Sequence, residues 1–262
     1  MSKFFPLFSS SKGNSVYLAG GGTSLLIDCG ISPKQLSSAL SAHGFDIRAV
    51  NGLLITHEHS DHIRGLNVLL KHTNIPLYAS RGTLEYLIGQ NLIPAHTDVF
   101  PVEGAFEIRD ITLRAFPTPH DAPDSVGYRF SLPDGRTAAV ATDLGHVSET
   151  VHQNLLGCDL VMLESNYDRR MLECSSYPYI LKRRIKSEFG HLGNEASAAE
   201  ALFLAKSGTT RIVLGHLSEQ NNLPEIAFET ARAALGSGGL RENVDYILKV
   251  APPRDASDVI LF

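Results

Sequence analysis

Thr56-His57-Glu58-His59-Ser60-Asp61-His62 follows directly on the apolar run Gly52-Leu53-Leu54-Ile55. That run offers no polar face, the pattern of a central strand buried on both sides. A chain that leaves such a strand and at once presents three histidines and an aspartate within six positions carries the ingredients of a metal site. Imidazole and carboxylate are natural donors for Zn²⁺ and similar divalent ions. Donors so closely spaced cannot all reach one ion from regular backbone. At a strand-to-helix loop they can divide, His57 and His59 toward one ion, Asp61 and His62 toward a second. A lone histidine is ordinarily a core or surface group; this cluster is not explained that way.

Outward from the cluster, the first half reads as strand, strand, strand, helix, strand, helix. Phe4–Phe8, Val16–Leu18 and Thr23–Ile27 are the first strands, the last two around the turn Gly20-Gly21-Gly22. A helix follows Ser32-Pro33, with Pro33 at its first position. The middle is rich in strands: Ala105–Ile108, Ile111–Phe116, Ser125–Leu132 and Thr137–Ala141, with Pro133-Asp134-Gly135 as a turn. Asp159–Leu163 and Ile212–Leu214 are further strands, among helices expected near 177–188, 194–206 and 224–235. Two successive β-then-α blocks, breaking near 133–136, predict two mixed sheets packed face to face with helices on the outer faces, an α/β (α+β) sandwich. With no low-complexity linker and no short-period repeat, residues 1–262 read as one domain.

Composition narrows the function. Of 262 residues 43% are hydrophobic and 19% charged, which fits a buried globular core and argues against disorder. A net charge of -5 excludes a uniformly basic nucleic-acid binder but not a local basic patch. The three cysteines, Cys29, Cys158 and Cys174, have no CxxC spacing, so a disulfide framework is not expected and a reducing cytoplasm is. The apolar N-terminal stretch is short and broken by Pro6, which reads as a strand rather than a signal peptide. No run approaches the ~20 apolar residues of a membrane span.

His57-x-His59-x-Asp61-His62 resembles the HxHxDH signature of the metallo-β-lactamase superfamily. The other superfamily positions follow in order, each closing an expected strand: Asp28, His120, Asp143 and His216. The resemblance spans nearly the whole chain and implies the αββα sandwich of that superfamily. It also implies two divalent ions per chain, Zn²⁺ or Mn²⁺. His57, His59 and His120 would hold the first, Asp61, His62 and His216 the second, with Asp143 bridging and Asp28 orienting ligands from behind. His43, His72, His96 and His152 read as surface residues without partners. His146, three residues after Asp143, is a weaker neighbour of the site. Cys29 is expected buried and inert.

The branch is narrowed by further residues. True β-lactamases of this fold place a cysteine on the second ion, where this chain has the Asp61-His62 pair. Oxygen-reducing di-iron relatives carry a carboxylate where His59 stands. A glyoxalase II-like thioester hydrolase and a small-molecule cyclic phosphodiesterase share the ligand set and stay open as alternatives. Glu164-Ser165-Asn166-Tyr167 and Gly190-His191-Leu192-Gly193-Asn194 resemble the glutamate-dependent histidine motif of RNase Z-type nucleases. Between them, Tyr177-Pro178-Tyr179-Ile180-Leu181-Lys182-Arg183-Arg184-Ile185-Lys186 interleaves aromatics with basic residues, which suits bases and phosphates; alone it would read as a solvated helix face.

Together with Ser10-Ser11-Lys12-Gly13-Asn14-Ser15 and Gly215-His216-Leu217-Ser218-Glu219-Gln220-Asn221-Asn222, these stretches are similar to the bacterial YycJ/WalJ family. Its members are described as DNA exonucleases acting 5′ to 3′. One departure is Gly193, where serine is common in that family. The resemblance implies a metal-dependent phosphodiesterase with DNA as substrate. Asp61, His191 and Glu164 would be its catalytic residues, His191 the general acid held by Glu164, and Lys182, Arg183, Arg184 and Asn194 would contact the substrate.

Overall fold

The computed structural model describes residues 1–254 and 258–262. Among these residues fourteen strands form two seven-stranded sheets. The first contains β1 (Lys3–Ser10), β2 (Gly13–Gly20), β3 (Thr23–Ile27), β4 (Gly52–Ile55), β5 (Leu77–Ala79) and β6 (Val99–Pro101). The second contains β7 (Ala105–Ile108), β8 (Ile111–Pro117), β9 (Val126–Ser131), β10 (Thr137–Ala141), β11 (Leu160–Glu164), β12 (Arg211–Gly215) and β13 (Ile247–Val250). The chain then returns to pair β14 (Ile260–Leu261) with β1. Each sheet is mixed, with antiparallel pairs through β3 in the first and β10 in the second, and parallel pairs beyond.

Helices α1 (Pro33–Ala42), α2 (Ser60–Ile63), α3 (Leu66–Lys71) and α4 (Arg81–Gly89) accompany the first sheet. Helices α5 (Glu149–Leu155), α6 (Arg169–Cys174), α7 (Tyr179–Ile185), α8 (Asn194–Lys206) and α9 (Pro224–Ser237) accompany the second. Strand side chains alternate between faces, and the core records it. Leu25 and Ile27 of β3 pack with Tyr128, Phe130, Val140 and Met162 in the layer between the sheets. Leu26, between them in sequence, packs outward with Leu36 and Leu40 of α1. On the opposite face, Ala139 and Val161 meet Val151 and Leu155 of α5, and Ile212 and Leu214 meet Ala227 and Ala231 of α9. This is the αββα sandwich expected from the sequence.

The sheets change between Pro101 and Ala105. Residues 133–136, where the sequence reading places the break between two halves, instead form the β9–β10 hairpin inside the second sheet. A Pro-Asp-Gly turn marks a reversal of the chain, and whether that reversal stays in one sheet is decided by pairing. The two layers are joined beside the metal-type cluster: the buried Tyr128 hydroxyl donates to Ile55 O at 2.7 Å, and Val126 N donates to Thr56 O at 3.0 Å.

Candidate metal centre

The cluster lies where strands of both sheets end. Buried β4 delivers Thr56 and His57, and α2 carries Asp61 and His62 in its single turn. Asp28 follows β3, His120 follows β8, Asp143 follows β10 and His216 follows β12. Asp28, Asp143 and His216 all have left-handed backbone, with φ of 59°, 61° and 54°. Such a conformation is uncommon outside glycine and tends to persist where surrounding structure over-determines it, often at functional sites. Close approach of Gly30 makes room for the loop: a Cβ there would lie 1.6 Å from Asp61 O.

Each buried histidine is aimed by what holds its Nδ1. Asp28 accepts from Thr56 N at 2.8 Å, Thr56 Oγ1 at 2.9 Å and His62 Nδ1 at 2.8 Å. His120 Nδ1 donates to Gly190 O at 3.0 Å, and His216 Nδ1 donates to Glu164 Oε1 at 2.8 Å. A proton fixed on Nδ1 leaves the Nε2 lone pair as the ligating group. Gly190 reaches His120 because it packs directly on α7, where a Cβ would meet Arg184 O at 2.2 Å.

Among the described residues the donor atoms converge in four overlapping groups, one of them joining Asp143, Glu164, His191 and His216 and another His57, His62 and Asp143; the remaining two match the expected ligand sets. His57, His59 and His120 bring one ligand atom each within 4.8 Å of one another, and so do Asp61, His62 and His216. Asp143 sits between them. Its Oδ1 is 4.0 Å from His57 Nε2 and 3.7 Å from His120 Nε2, while Oδ2 is 3.2 Å from His62 Nε2. Two of these atoms, His57 Nε2 and Asp143 Oδ2, are buried with no hydrogen-bond partner. An unsatisfied buried polar atom costs about 1–3 kcal/mol, and an ion between the two sets would relieve both. The residues therefore fit divalent metal.

Electrostatics point the same way. Burial pushes His57 well below its ordinary pKa, and burial lowers that of His120. Burial also resists charge on His62, but Asp143, Asp28 and Asp61 overcome it and raise it well above the usual value. His216 is pushed up to about 10, with Asp143, Asp61 and Glu164 outweighing burial. Burial opposes ionisation of Asp143, yet His216, His62 and His57 hold its carboxyl well below the usual range. Without metal, protons on His62 and His216 balance the carboxylates.

Beside this set lies a pair. Glu164 is fully buried, and its Oε1 accepts from His191 Nδ1 at 2.8 Å as well as from His216. Its Oε2 accepts from the Leu144 and Leu192 amides at 2.7 and 3.2 Å. The His191 side chain keeps 19% exposure, so its ring stands at the rim of the centre.

Other expected residues are placed differently. Asn194 is 1% exposed, and its amide is committed to Ser165 and Asn222, which corrects its reading as a substrate contact. It caps the region by tying α8 to the loops after β11 and β12. Lys182 Nζ donates to Glu173 O and Ser175 O, and Arg184 pairs with Asp121 at 2.5 Å. Arg183 is exposed, 5.9 Å above the Tyr179 ring. His146 is exposed and bonded to Glu188 O. His152 is not the partnerless residue expected: it is half-buried and pairs with Glu200 at 2.8 Å. All three cysteines are free, and burial pushes the Cys29 thiol well up. Gly193 begins α8 under Tyr167, whose ring would lie 3.1 Å from an added Cβ.

Two site residues escape the sequence reading. Asn14 Nδ2 is 3.1 Å from Asp61 Oδ2 and from His62 Nε2, and Asp121 Oδ1 is 3.4 Å from His120 Nε2. Adjacency to His120 is the available signal for Asp121; Asn14 has only its place in the Ser10–Ser15 stretch.

Comparison with known proteins agrees with the geometry. Residues 23–217 match the family model described as beta-lactamase superfamily domain. Exodeoxyribonuclease YycJ of Bacillus anthracis is 37% identical over 227 residues, covering 86% of this chain and 85% of that protein. Exodeoxyribonuclease WalJ of Streptococcus pneumoniae is 33% identical over 259 residues, covering 97% and 96%. Among solved structures, the metallo-beta-lactamase fold protein YhfI of Bacillus subtilis superposes with a TM-score of 0.74 at 16% identity, covering 98% of each chain. Zn(2+)-bound PqqB of Methylobacterium extorquens gives 0.72 at 17% identity, covering 98% of this chain and 100% of the other. These two share the fold. With the superfamily domain matched over residues 23–217 and 33–37% identity to WalJ and YycJ over most of its length, the chain belongs to the metallo-β-lactamase superfamily and, within it, to the YycJ/WalJ family.

Proposed function

We propose that the chain is a dinuclear metal-dependent phosphodiesterase, one domain over residues 1–262, that degrades DNA as a 5′-to-3′ exonuclease in the cytoplasm. The observation that carries this reading is the convergence of seven donors in overlapping groups, with His191 at their rim held by the buried Glu164. The names of the YycJ and WalJ relatives support the substrate. Free cysteines agree with a reducing compartment, and among the described residues no helix is long and apolar enough to cross a membrane.

His57, His59 and His120 would hold one ion, Asp61, His62 and His216 the other, with Asp143 between; Zn²⁺ and Mn²⁺ both suit such mixed donors. When bound, the ions supply Lewis-acid polarisation of the phosphoryl group and of a water. Asp61, steadied by Asn14, orients that water for attack. His191, its Nδ1 held by Glu164, turns Nε2 toward the departing sugar oxygen and protonates it.

The test is purified protein loaded with Zn²⁺ or Mn²⁺, with metal content measured, against 5′- and 3′-labelled single- and double-stranded DNA. Two equivalents of metal and early release of the 5′ label are expected. A thioester and a cyclic nucleotide are assayed alongside. Turnover of either with DNA left intact would overturn the reading, and saturation at one ion would remove the dinuclear mechanism.

A further inference from the structure

A cleft of about 520 Å³ opens beside the metal loops and contains none of the metal donors. Its walls come from segments that also carry the centre. The β1–β2 turn supplies Lys12, two residues before Asn14; the chain after α2 supplies Arg64, two residues after His62; the loop after β12 supplies Glu219, three residues after His216. Arg254 completes the rim, and the start of α1, with Ser32 and Gln35, forms one wall. Glu219, with a side chain only 10% exposed, holds Lys12 at 2.6 Å and Arg254 at 2.8 Å. Arg64 is exposed and has no acidic partner among the described residues.

Among the described residues, three cations and one carboxylate line this cleft, in a chain whose net charge is -5. The positive end of α1 adds to the same potential. Among the described lining residues the exposed Arg64 stands beside the Lys12–Glu219 pair, and such a group against an acidic background favours an anion. Lysine offers a point charge and arginine a planar fork, both suited to phosphate oxygens. The cleft shares its backbone segments with the metal centre, so the two open on neighbouring loops.

We propose that this cleft is a phosphate subsite for the nucleic-acid strand that is cut at the metal centre, with Lys12 and Arg64 contacting the phosphate and Glu219 as the internal counter-charge that it displaces. The proposal rests on the phosphodiesterase reading above and adds where the strand is gripped. A terminal 5′-phosphate carries about −1.5 to −2 charge at pH 7 and an internal diester carries one; Lys12 and Arg64 suit either.

The experiment measures binding of metal-loaded protein to single-stranded oligonucleotides with cleavage-resistant phosphorothioate linkages, bearing either a 5′-phosphate or a 5′-hydroxyl. The variant Lys12→Gln with Arg64→Gln should weaken binding of the phosphorylated strand about 10-fold and flatten the log–log salt slope by roughly 0.7 for each phosphate no longer neutralised. Glu219→Gln should strengthen it several-fold, opposite to what a structural role for Glu219 gives. A loss confined to the 5′-phosphate strand assigns the terminal group; equal loss on both strands assigns an internal phosphate. Unchanged affinity and slope in the double variant, or weaker binding by Glu219→Gln, overturns the proposal. Wild-type protein that still cuts DNA in that case leaves the phosphodiesterase reading standing. Wild-type protein that neither binds nor cuts DNA removes both.

Discussion

His191 and His216 share one oxygen atom: their Nδ1 atoms each lie 2.8 Å from Glu164 Oε1. Both converge with Asp143 and Glu164, but His216 is buried and groups with Asp61 and His62, whereas His191 keeps 19% exposure at the rim. A single buried carboxylate, itself fixed by the Leu144 and Leu192 amides, therefore sets the orientation of both. Any change at Glu164 is felt by the metal pocket and the proton donor together.

Glu164→Gln should accordingly show two losses. An amide cannot accept at both of its positions, so either the histidines or the two amides lose their partner. Metal affinity should fall about 10–100-fold, the usual effect of removing a residue that orients a ligand. His191→Ala should instead cut turnover on DNA about 10²–10⁴-fold with metal content unchanged. A nitrophenyl phosphodiester, whose leaving group needs no proton, should largely restore its rate. Metal loss in His191→Ala, or equal losses on both substrates, would show that His191 is a ligand or a positioning group.

Much of this centre is legible in the sequence because the donors come in a compact motif and at strand ends. His57 through His62 announce themselves, and Asp28, His120, Asp143 and His216 each follow an apolar run. What is not legible depends on contacts between distant segments. Asn14 meets Asp61 across 47 positions, and Glu164 serves His216 across 52. Asn194 looks like an open polar residue after a glycine, but the loops after β11 and β12 fold over it. The left-handed backbone at Asp28, Asp143 and His216 leaves only a faint trace in residue type, since aspartate and histidine adopt it more often than most residues but far less readily than glycine. The sheet boundary is misplaced in the sequence for a related reason: β5 and β6 are three residues each, too short to show a period.

Asp28 separates orientation from backbone strain. Asp28→Asn keeps a side chain that tolerates left-handed φ, but one of its two acceptor positions becomes a donor facing Thr56 or His62. Metal affinity should drop about 10–100-fold with modest loss of stability. Asp28→Ala should lose the same affinity and, in addition, about 1–2 kcal/mol from a left-handed residue with a Cβ and no local hydrogen bond. Metal titration and thermal unfolding of the two variants check this; equal stabilities would mean that the backbone strain at Asp28 is small.

Metal uptake should be proton-linked. In metal-free protein His62 is raised well above its ordinary pKa and His216 is pushed up to about 10. Both carry protons at pH 7, and ligation requires them to leave. Affinity should therefore rise from pH 7 toward 10, with proton release measurable in buffers of different ionisation enthalpy. The metal-free fold behaves oppositely. A raised histidine contributes stability that is complete below its unfolded value near 6.5 and is lost as pH rises through about 10. Its melting temperature should fall over that window while the shift on adding metal grows. An affinity independent of pH would contradict the charged state of these two residues.

Helix α7 makes unequal demands on its three basic residues. Lys182 caps carbonyls at the end of α6, and Arg184 is anchored to Asp121, whose other oxygen is 3.4 Å from His120 Nε2. Arg183 and Tyr179, stacked and exposed, have their outer faces available to a strand. Arg183→Ala with Tyr179→Ala should weaken DNA binding by removing one phosphate partner and a base-stacking surface, the latter worth about 1–3 kcal/mol per base. Lys182→Ala should alter binding little and cost about 1 kcal/mol of stability instead, from its missing hydrogen bonds to the backbone. Arg184→Ala frees Asp121 beside the first donor set, so its effect should be read in metal affinity as well as in KM. Anisotropy across a salt series, beside thermal unfolding, separates the three. A uniform fall in affinity for every basic residue would mean that α7 acts as a diffuse positive surface, and the assignment of Arg183 and Tyr179 as the contact pair would fail.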